Sequence, residues 1–366
     1  MEESVFAKRP GYEQLLLRKH SKHVKSVKNI PESPLPKPRP PRSANPPAQS
    51  DVRADAPPPG SHRAKVVRAH GLWYEVKPVR DHRAGQTVIA TMKGLLKKQR
   101  RRTDIVAVGD WVWITDLPDS EAVIEAVEPR SSALIRTARH TRDTEQVILA
   151  NPEQVFFTFA ITDPEPHTRM LDRFIILAEM QDIPVQIVVN KAELATPQHV
   201  EDVFGVYLRL YPVHVVSAHT GQGVAELRRA LLGKTTAIAG PSGVGKSSLL
   251  NVIDPQQRRD TAEVSDATGK GRHTTVGSRL YEIDDDTWVA DTPGMRALAM
   301  HAIDADNLDS YYIEFRPFLG ECYYQDCTHT HEPGCAVQEA VERGIISRER
   351  YESYVSLRSG DELAEA

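Results

Sequence analysis

The sequence predicts a multidomain protein: a small all-β barrel, then an α/β domain on a parallel sheet, then a short helical segment that holds a metal ion. Three observations predict it. Short β-type runs with turn residues between them fill residues 62–136. From residue 154 onward, buried-type strands alternate with amphipathic helices. All three cysteines of the chain fall between Cys322 and Cys335, beside histidines.

A chain of 366 residues has room for two or three such domains, each with its own core. Residues 1–60 hold 12 of the 26 prolines and few large apolar groups, too little to offset the entropy of ordering, so they read as a disordered basic tail with at most a weak helix over Gly11–Val27. The expected organisation is the tail over 1–60, the barrel over 61–137, the α/β domain over 138–300 and the metal-binding helical domain over 301–366. The net charge is −4, yet basic residues outnumber acidic ones by 11 to 6 over 1–60 and by 13 to 9 over 61–135. A basic front on an acidic body fits a polyanionic partner met at one end; a merely solvated tail fits the same count. No basic start is followed by an apolar run, and no window approaches the roughly 18 apolar residues of a membrane span, so a soluble, cytoplasmic protein is expected.

The barrel runs are AKVVRAHGLWYEV, QTVIATMKG, DIVAVGDWVWIT and AVIEAVEP, about five strands in all. Between two of them Lys97, Lys98, Arg100, Arg101 and Arg102 stand nearly consecutively, either a patch for nucleic-acid phosphates or a solvated loop. The α/β alternation follows: QVFFTFAI (154–161), a helix over 170–182, VQIVV (185–189), HVV (214–216), a helix over 223–232, TAIA (236–239), a helix after Lys246 and TWVAD (287–291). Strands separated by helices of this length require a parallel sheet covered on both faces. A polar helix is expected over 336–358.

Gly240, Pro241, Ser242, Gly243, Val244, Gly245, Lys246 and Ser247 fit the phosphate-loop pattern G-x-x-x-x-G-K-[ST] between a strand and a helix. Its glycines turn backbone N–H groups toward phosphates, its lysine carries charge to the β and γ oxygens, and its serine hydroxyl suits Mg²⁺. Asp291-Thr-Pro-Gly294 follows a strand about 44 residues beyond the lysine, where the acid suits Mg²⁺ through water and the glycine N–H suits the γ-phosphate. Between them lies GKGRHTTV (269–276), in which Thr274 or Thr275 would reach the metal and His273 would either position water or sit exposed. No Asn-Lys-x-Asp follows the phosphate loop. Instead Asn190, Lys191, Ala192 and Glu193 end one earlier strand, and Ser217 and Ala218 end another. These are the guanine-reading elements of a GTPase, placed ahead of the phosphate loop by circular permutation. A site assembled from strand ends senses position, not chain order. Glu193 replaces the commoner Asp, and Met295, whose thioether cannot hold water strongly, stands where many GTPases carry a glutamine. Slow intrinsic hydrolysis, accelerated by a partner, is therefore expected.

Cys322, Cys327, His329 and Cys335 form Cys-x₄-Cys-x-His-x₅-Cys. Three thiolates and one imidazole suit a closed tetrahedral Zn²⁺ of structural type, with His331 the alternative nitrogen ligand to the preferred His329.

A basic barrel, NKAE and SA ahead of GPSGVGKS, GRHTT, DTPG and this cysteine cluster together resemble the bacterial small-ribosomal-subunit-dependent GTPases, the RsgA/YjeQ family, over about residues 62–360. The resemblance implies an OB-fold barrel, GTP hydrolysis stimulated by the small (30S) subunit, and a part in its late maturation. It also makes the loop at Lys97–Arg102 a contact to 16S rRNA, and the expected reading is a monomer that binds the small subunit through barrel and zinc domain. Two departures are Glu193, which touches base affinity, and Val276 where a third threonine often stands. The rival reading is an RNA-binding zinc protein that holds guanine nucleotide with little turnover.

Overall fold

A computed structural model of the chain describes residues 57–79, 86–94, 104–118, 121–137, 145–255, 278–284, 286–291, 303 and 305–360. The helix expected over Gly11–Val27 and nearly all of the proline-rich tail lie outside the described residues.

Five strands form the barrel: β1 (His62–Ala69), β2 (Trp73–Pro78), β3 (Val88–Met92), β4 (Trp111–Asp116) and β5 (Glu121–Val127). β1 pairs with both β2 and β4, β2 with β3, and β4 with β5, all antiparallel, and a parallel β3–β5 pairing completes the ring. Alternate residues point inward, so Val66, Tyr74, Val76, Ala90, Val112, Ile114 and Ile124 fill the interior. The β1–β2 register shifts between Val66 and Arg68, and Val67 packs into the core of the α/β domain instead of the barrel. A bulge thus gives one strand side chains in two cores.

β6 (Ala133–Thr137) and β7 (Glu145–Ala150) form a separate two-stranded sheet. The α/β domain continues with β8 (Gln154–Ala160), α1 (Thr168–Glu179), β9 (Val185–Asn190), α2 (Pro197–Leu210), β10 (Val213–Val215), α3 (Val224–Leu231), β11 (Thr235–Ala239), α4 (Lys246–Ile253), β12 (Arg279–Asp284) and β13 (Thr287–Asp291). Sheet order is β10-β9-β8-β11-β13-β12, parallel except for antiparallel β12. Phe157, Phe159, Leu171, Phe174 and Phe204 pack one face beneath α1 and α2; Phe156, Val188, Leu227, Leu231, Leu249 and Leu250 pack the other beneath α3 and α4. Such two-sided burial explains why QVFFTFA is apolar without alternation.

Several elements go beyond the sequence reading, β6, β7, α2 and β12 among them. Helix α2 begins at a Thr196 cap followed by Pro197 at its first position. β12 joins the sheet to the barrel through the pairing of Arg279 with Arg68, so eleven strands form one continuous ladder. The C-terminal part holds α5 (Leu308–Tyr311), α6 (Ala336–Glu342) and α7 (Arg348–Ser359). The single helix expected over 336–358 is in fact two. Gly344 adopts φ +68°, the left-handed conformation that ends a helix, and Ser347 opens the next.

Two buried cations fasten these parts. Lys65 of β1, 2% exposed, donates to Thr235 Oγ1 at 2.8 Å and lies 4.5 Å and 5.2 Å from the Trp111 and Trp288 ring centroids. Arg350 of α7 donates through Nε to Glu314 at 2.7 Å and pairs with Asp172 of α1. Among the described residues no helix is long and apolar enough to cross a membrane.

Candidate functional site

Because β9, β8, β11 and β13 run parallel, their C-terminal ends share one edge of the sheet. The register sets Asn190 opposite Ala160, Ala239 opposite Phe157, and Asp291 opposite Ile238. The loops after β9 and β10 therefore emerge beside the phosphate loop after β11, although 48 residues lie between Lys191 and Gly240 along the chain.

One side chain ties all three loops. Asn190 is 1% exposed. Its Nδ2 donates to the carbonyl of Val244 in the phosphate loop at 2.8 Å, and its Oδ1 accepts from the N–H of Ala218 at 3.1 Å. The N–H of Ala192 donates to the Val216 carbonyl at 3.1 Å, and Ser217 Oγ accepts from Thr220 N at 2.9 Å. Lys191 holds φ +63° and donates to the Asp163 carbonyl, while Glu193 lies exposed on the one-turn helix Ala192–Leu194.

Close packing explains the glycines. A Cβ on Gly240 would sit 2.0 Å from the Thr158 carbonyl oxygen of β8, and one on Gly245 would sit 2.5 Å from Asn190 Nδ2. Gly243 and Gly245 adopt φ +81° and +88°, which a side chain would strain. Between them Val244 is buried, while Ser242 and Gly243 are exposed and Pro241 and Ser247 half-buried. Lys246 folds onto the loop, its Nζ donating to the carbonyls of Gly240 at 3.0 Å and Pro241 at 2.7 Å. Burial lowers the Lys246 pKa, and the nearby Asp291 carboxylate opposes that shift. The strand-end acid and the loop lysine thus share one electrostatic neighbourhood.

Not every sequence candidate falls within the description. His273, Thr274, Thr275, Gly294 and Met295 lie outside the described residues, as do Lys97, Lys98, Arg100, Arg101 and Arg102. Conversely, sequence reasoning missed Asp163 and Pro164. Besides Asp163 accepting from Lys191, Pro164 Cδ lies 3.7 Å from where a Cβ on Gly243 would stand. An Asp-Pro turn was readable there; its meeting with both loops was not.

The second cluster is C-terminal. One ligand atom from each of Cys322, Cys327, His329 and Cys335 lies within 4.8 Å of the others. His329 Nδ1 is 3.5 Å from Cys322 Sγ and 3.4 Å from Cys335 Sγ, and the two sulfurs are 3.9 Å apart. His331 faces solvent with its side chain 82% exposed, so the nitrogen at the cluster is that of His329. Backbone N–H groups of Ala336 and Gln338 point at the sulfurs of Cys322 and Cys335, at 3.3 Å and 3.5 Å. Burial pushes the Cys327 thiol up to about 12, so a cation bound there displaces protons. Three sulfurs and one nitrogen, mutually in reach, make a donor set that can hold one ion.

Known proteins place the chain. A model of the RsgA GTPase family matches residues 127–301. The small ribosomal subunit biogenesis GTPase RsgA of Gemmatimonas aurantiaca is 45% identical over 282 residues, 76% of this chain and 91% of that protein. The protein of the same name from Moorella thermoacetica is 39% identical over 292 residues, 80% of this chain and 94% of its own. Among solved structures, YjeQ from Thermotoga maritima matches with a TM-score of 0.68 at 32% identity, covering 84% of this chain and 100% of that one. YloQ, described as a circularly permuted GTPase, matches with a TM-score of 0.64 at 27% identity, over 84% of this chain and 97% of its own.

A closed five-strand barrel, a parallel sheet whose phosphate-loop strand comes late in the chain, and a Cys₃His cluster near the C-terminus define a circularly permuted GTPase, a hydrolase acting on GTP. The chain belongs to the RsgA GTPase family.

Proposed function

We propose that this GTPase acts in the late maturation of the small ribosomal subunit, binding the 30S particle through barrel and C-terminal domain, and that the particle stimulates its hydrolysis of GTP. GTP holds the bound conformation and hydrolysis releases it. The relatives' name, small ribosomal subunit biogenesis GTPase, supports the partner. The observation that carries the nucleotide reading is the Asn190 amide, which joins the base-side loops to the phosphate loop.

In this reading Glu193 accepts from guanine N1–H and its exocyclic amine while Asn190, Lys191 and Ala192 brace the loop. The loop of Ser217 and Ala218 offers a backbone N–H to guanine O6. Gly240–Ser247 cradle the phosphates, and Lys246 leaves its loop carbonyls for the β and γ oxygens. Ser247, Asp291 and one of Thr274 and Thr275 serve Mg²⁺, Gly294 meets the γ-phosphate, and His273 positions water in place of the glutamine that Met295 replaces. Zn²⁺ is the ion that Cys322, Cys327, His329 and Cys335 suit, and with all four positions supplied by protein its contribution is structural. Lys97, Lys98, Arg100, Arg101 and Arg102 follow β3 in the chain and supply charge for 16S rRNA phosphates. The protein works as a cytoplasmic monomer.

Single-turnover hydrolysis of GTP with and without 30S subunits tests this. Strong stimulation is expected; other partner-assisted GTPases gain about 10³–10⁵-fold. Equal rates with and without the particle would leave an RNA-binding zinc protein that merely holds nucleotide, a reading that Met295 favours.

A further inference from the structure

We propose that Asp309 is the positioning residue of the metal centre: its carboxylate takes the outer N–H of His329, fixes Nδ1 as the ligating atom, and pins the ligand loop to α5. This rests on the reading of the Cys₃His cluster as a metal site. The ring orientation carries the argument. Nδ1 of His329 faces the sulfurs of Cys322 and Cys335, whereas Nε2 faces Asp309 Oδ2 at 3.3 Å. A neutral imidazole that ligates through Nδ1 keeps its proton on Nε2, and that N–H is the one aimed at the carboxylate.

Asp309 is itself held. Its Oδ1 accepts from Ser310 N at 2.8 Å, the Ser310 carbonyl accepts from Arg316 Nε at 2.9 Å, and Arg316 Nη2 reaches Glu179 of α1 at 2.9 Å. The histidine is therefore referenced, through α5 and Arg316, to a helix of the α/β domain. From its other side the loop is closed by Glu332, which accepts from the N–H groups of Thr328, Thr330 and His331 at 2.8, 3.1 and 3.2 Å. Tyr351 Oη also donates to the His329 carbonyl, at 2.8 Å. Glu332 and Tyr351 set the loop backbone, and Asp309 sets the ring. The ligand motif does not reveal it, because Asp309 precedes Cys322 on a separate helix.

The experiment uses the full chain loaded with Co²⁺ or Zn²⁺. Competition with a chromogenic chelator measures Co²⁺ affinity for wild type, Asp309→Ala and Asp309→Asn. Loss of an outer partner of a ligating histidine weakens metal binding about 10–100-fold, so Asp309→Ala should lose that much while keeping the thiolate-to-cobalt absorption bands. Asp309→Asn keeps an acceptor and the shape of the side chain, so it should fall between and answers the question if the alanine variant does not fold. Nitrogen-15 spectra of the zinc-loaded wild type should show Nδ1 ligated and a slowly exchanging Nε2–H, a signature that a merely structural aspartate would not set. Affinities within twofold of wild type for the folded variants, or an Nε2-ligated His329, would overturn the assignment. Wild type that binds no Co²⁺ would instead remove the metal reading itself.

Discussion

Replacing Asn190 by alanine probes the permuted site at the atom pair on which it turns. The side chain satisfies two backbone groups, the Val244 carbonyl at 2.8 Å and the Ala218 N–H at 3.1 Å, from a position only 1% exposed. Alanine leaves both without this partner, and a buried unsatisfied group costs about 1–3 kcal/mol, with the half-buried Ala218 N–H at the low end. The total is then about 2–4 kcal/mol, divided between folding and nucleotide affinity. If the two loops relax apart in the free protein and must be brought back on binding, about one group's share appears in the affinity. At about 1.4 kcal/mol per factor of ten, GDP should bind about 10–100-fold more weakly. Fluorescent GDP titration measures that share, and thermal unfolding of the nucleotide-free protein measures the rest. Asn190→Asp keeps the acceptor for Ala218 N–H but sets a carboxylate against the Val244 carbonyl, so it should lose at least as much. An alanine variant with wild-type affinity and wild-type melting temperature would refute the coupling of the three loops through this amide.

Three further outcomes follow from contacts elsewhere. Gly240→Ala forces a Cβ to 2.0 Å from the backbone carbonyl oxygen of Thr158, which cannot swing away, so phosphate-loop geometry should fail and GDP titration should show no saturable binding. Cys335→Ser, or metal removal by a chelator, should unfold the C-terminal part first; protease cleavage within residues 305–360 and a lowered unfolding midpoint check it. Burial lowers Lys65 to about 8, below its ordinary 10.5, so between those pH values the unfolded chain binds more protons and stability should rise with pH, by up to about 1.4 kcal/mol per pH unit. Below pH 8 both states are protonated and the cost of the buried charge is constant. Lys65→Met should flatten that rise in denaturant titrations run from pH 7 to 10.5, and an unchanged slope would show that another group carries it.

Local chemistry made much of this protein legible in its sequence. A phosphate loop needs its glycines and lysine at fixed spacing, buried parallel strands must be apolar throughout, and a four-ligand metal cluster needs its sulfurs and nitrogen close along the chain. Each of these signals is complete within a short window, so the permuted order could be inferred from where the windows fell. Helix α2 carries a local start of the same kind, Thr196 followed by Pro197. The division of the polar stretch 336–358 into two helices at Gly344 does not, because whether a glycine inside a helical pattern ends the helix is decided by its neighbours in space.

What the sequence by itself determined is the inventory: the residues able to meet phosphate, guanine and metal, and the strands and helices that carry them. Only the tertiary structure decided which of these meet. Asn190 bonds to a loop 54 residues away, Lys65 bonds to Thr235 across 170 residues, Arg350 pairs with Asp172 across 178, and His329 faces Asp309 on a separate helix. Such contacts leave no periodic or spaced trace in a single chain, because the geometry that creates them is set by the packing of whole elements and not by the residues between.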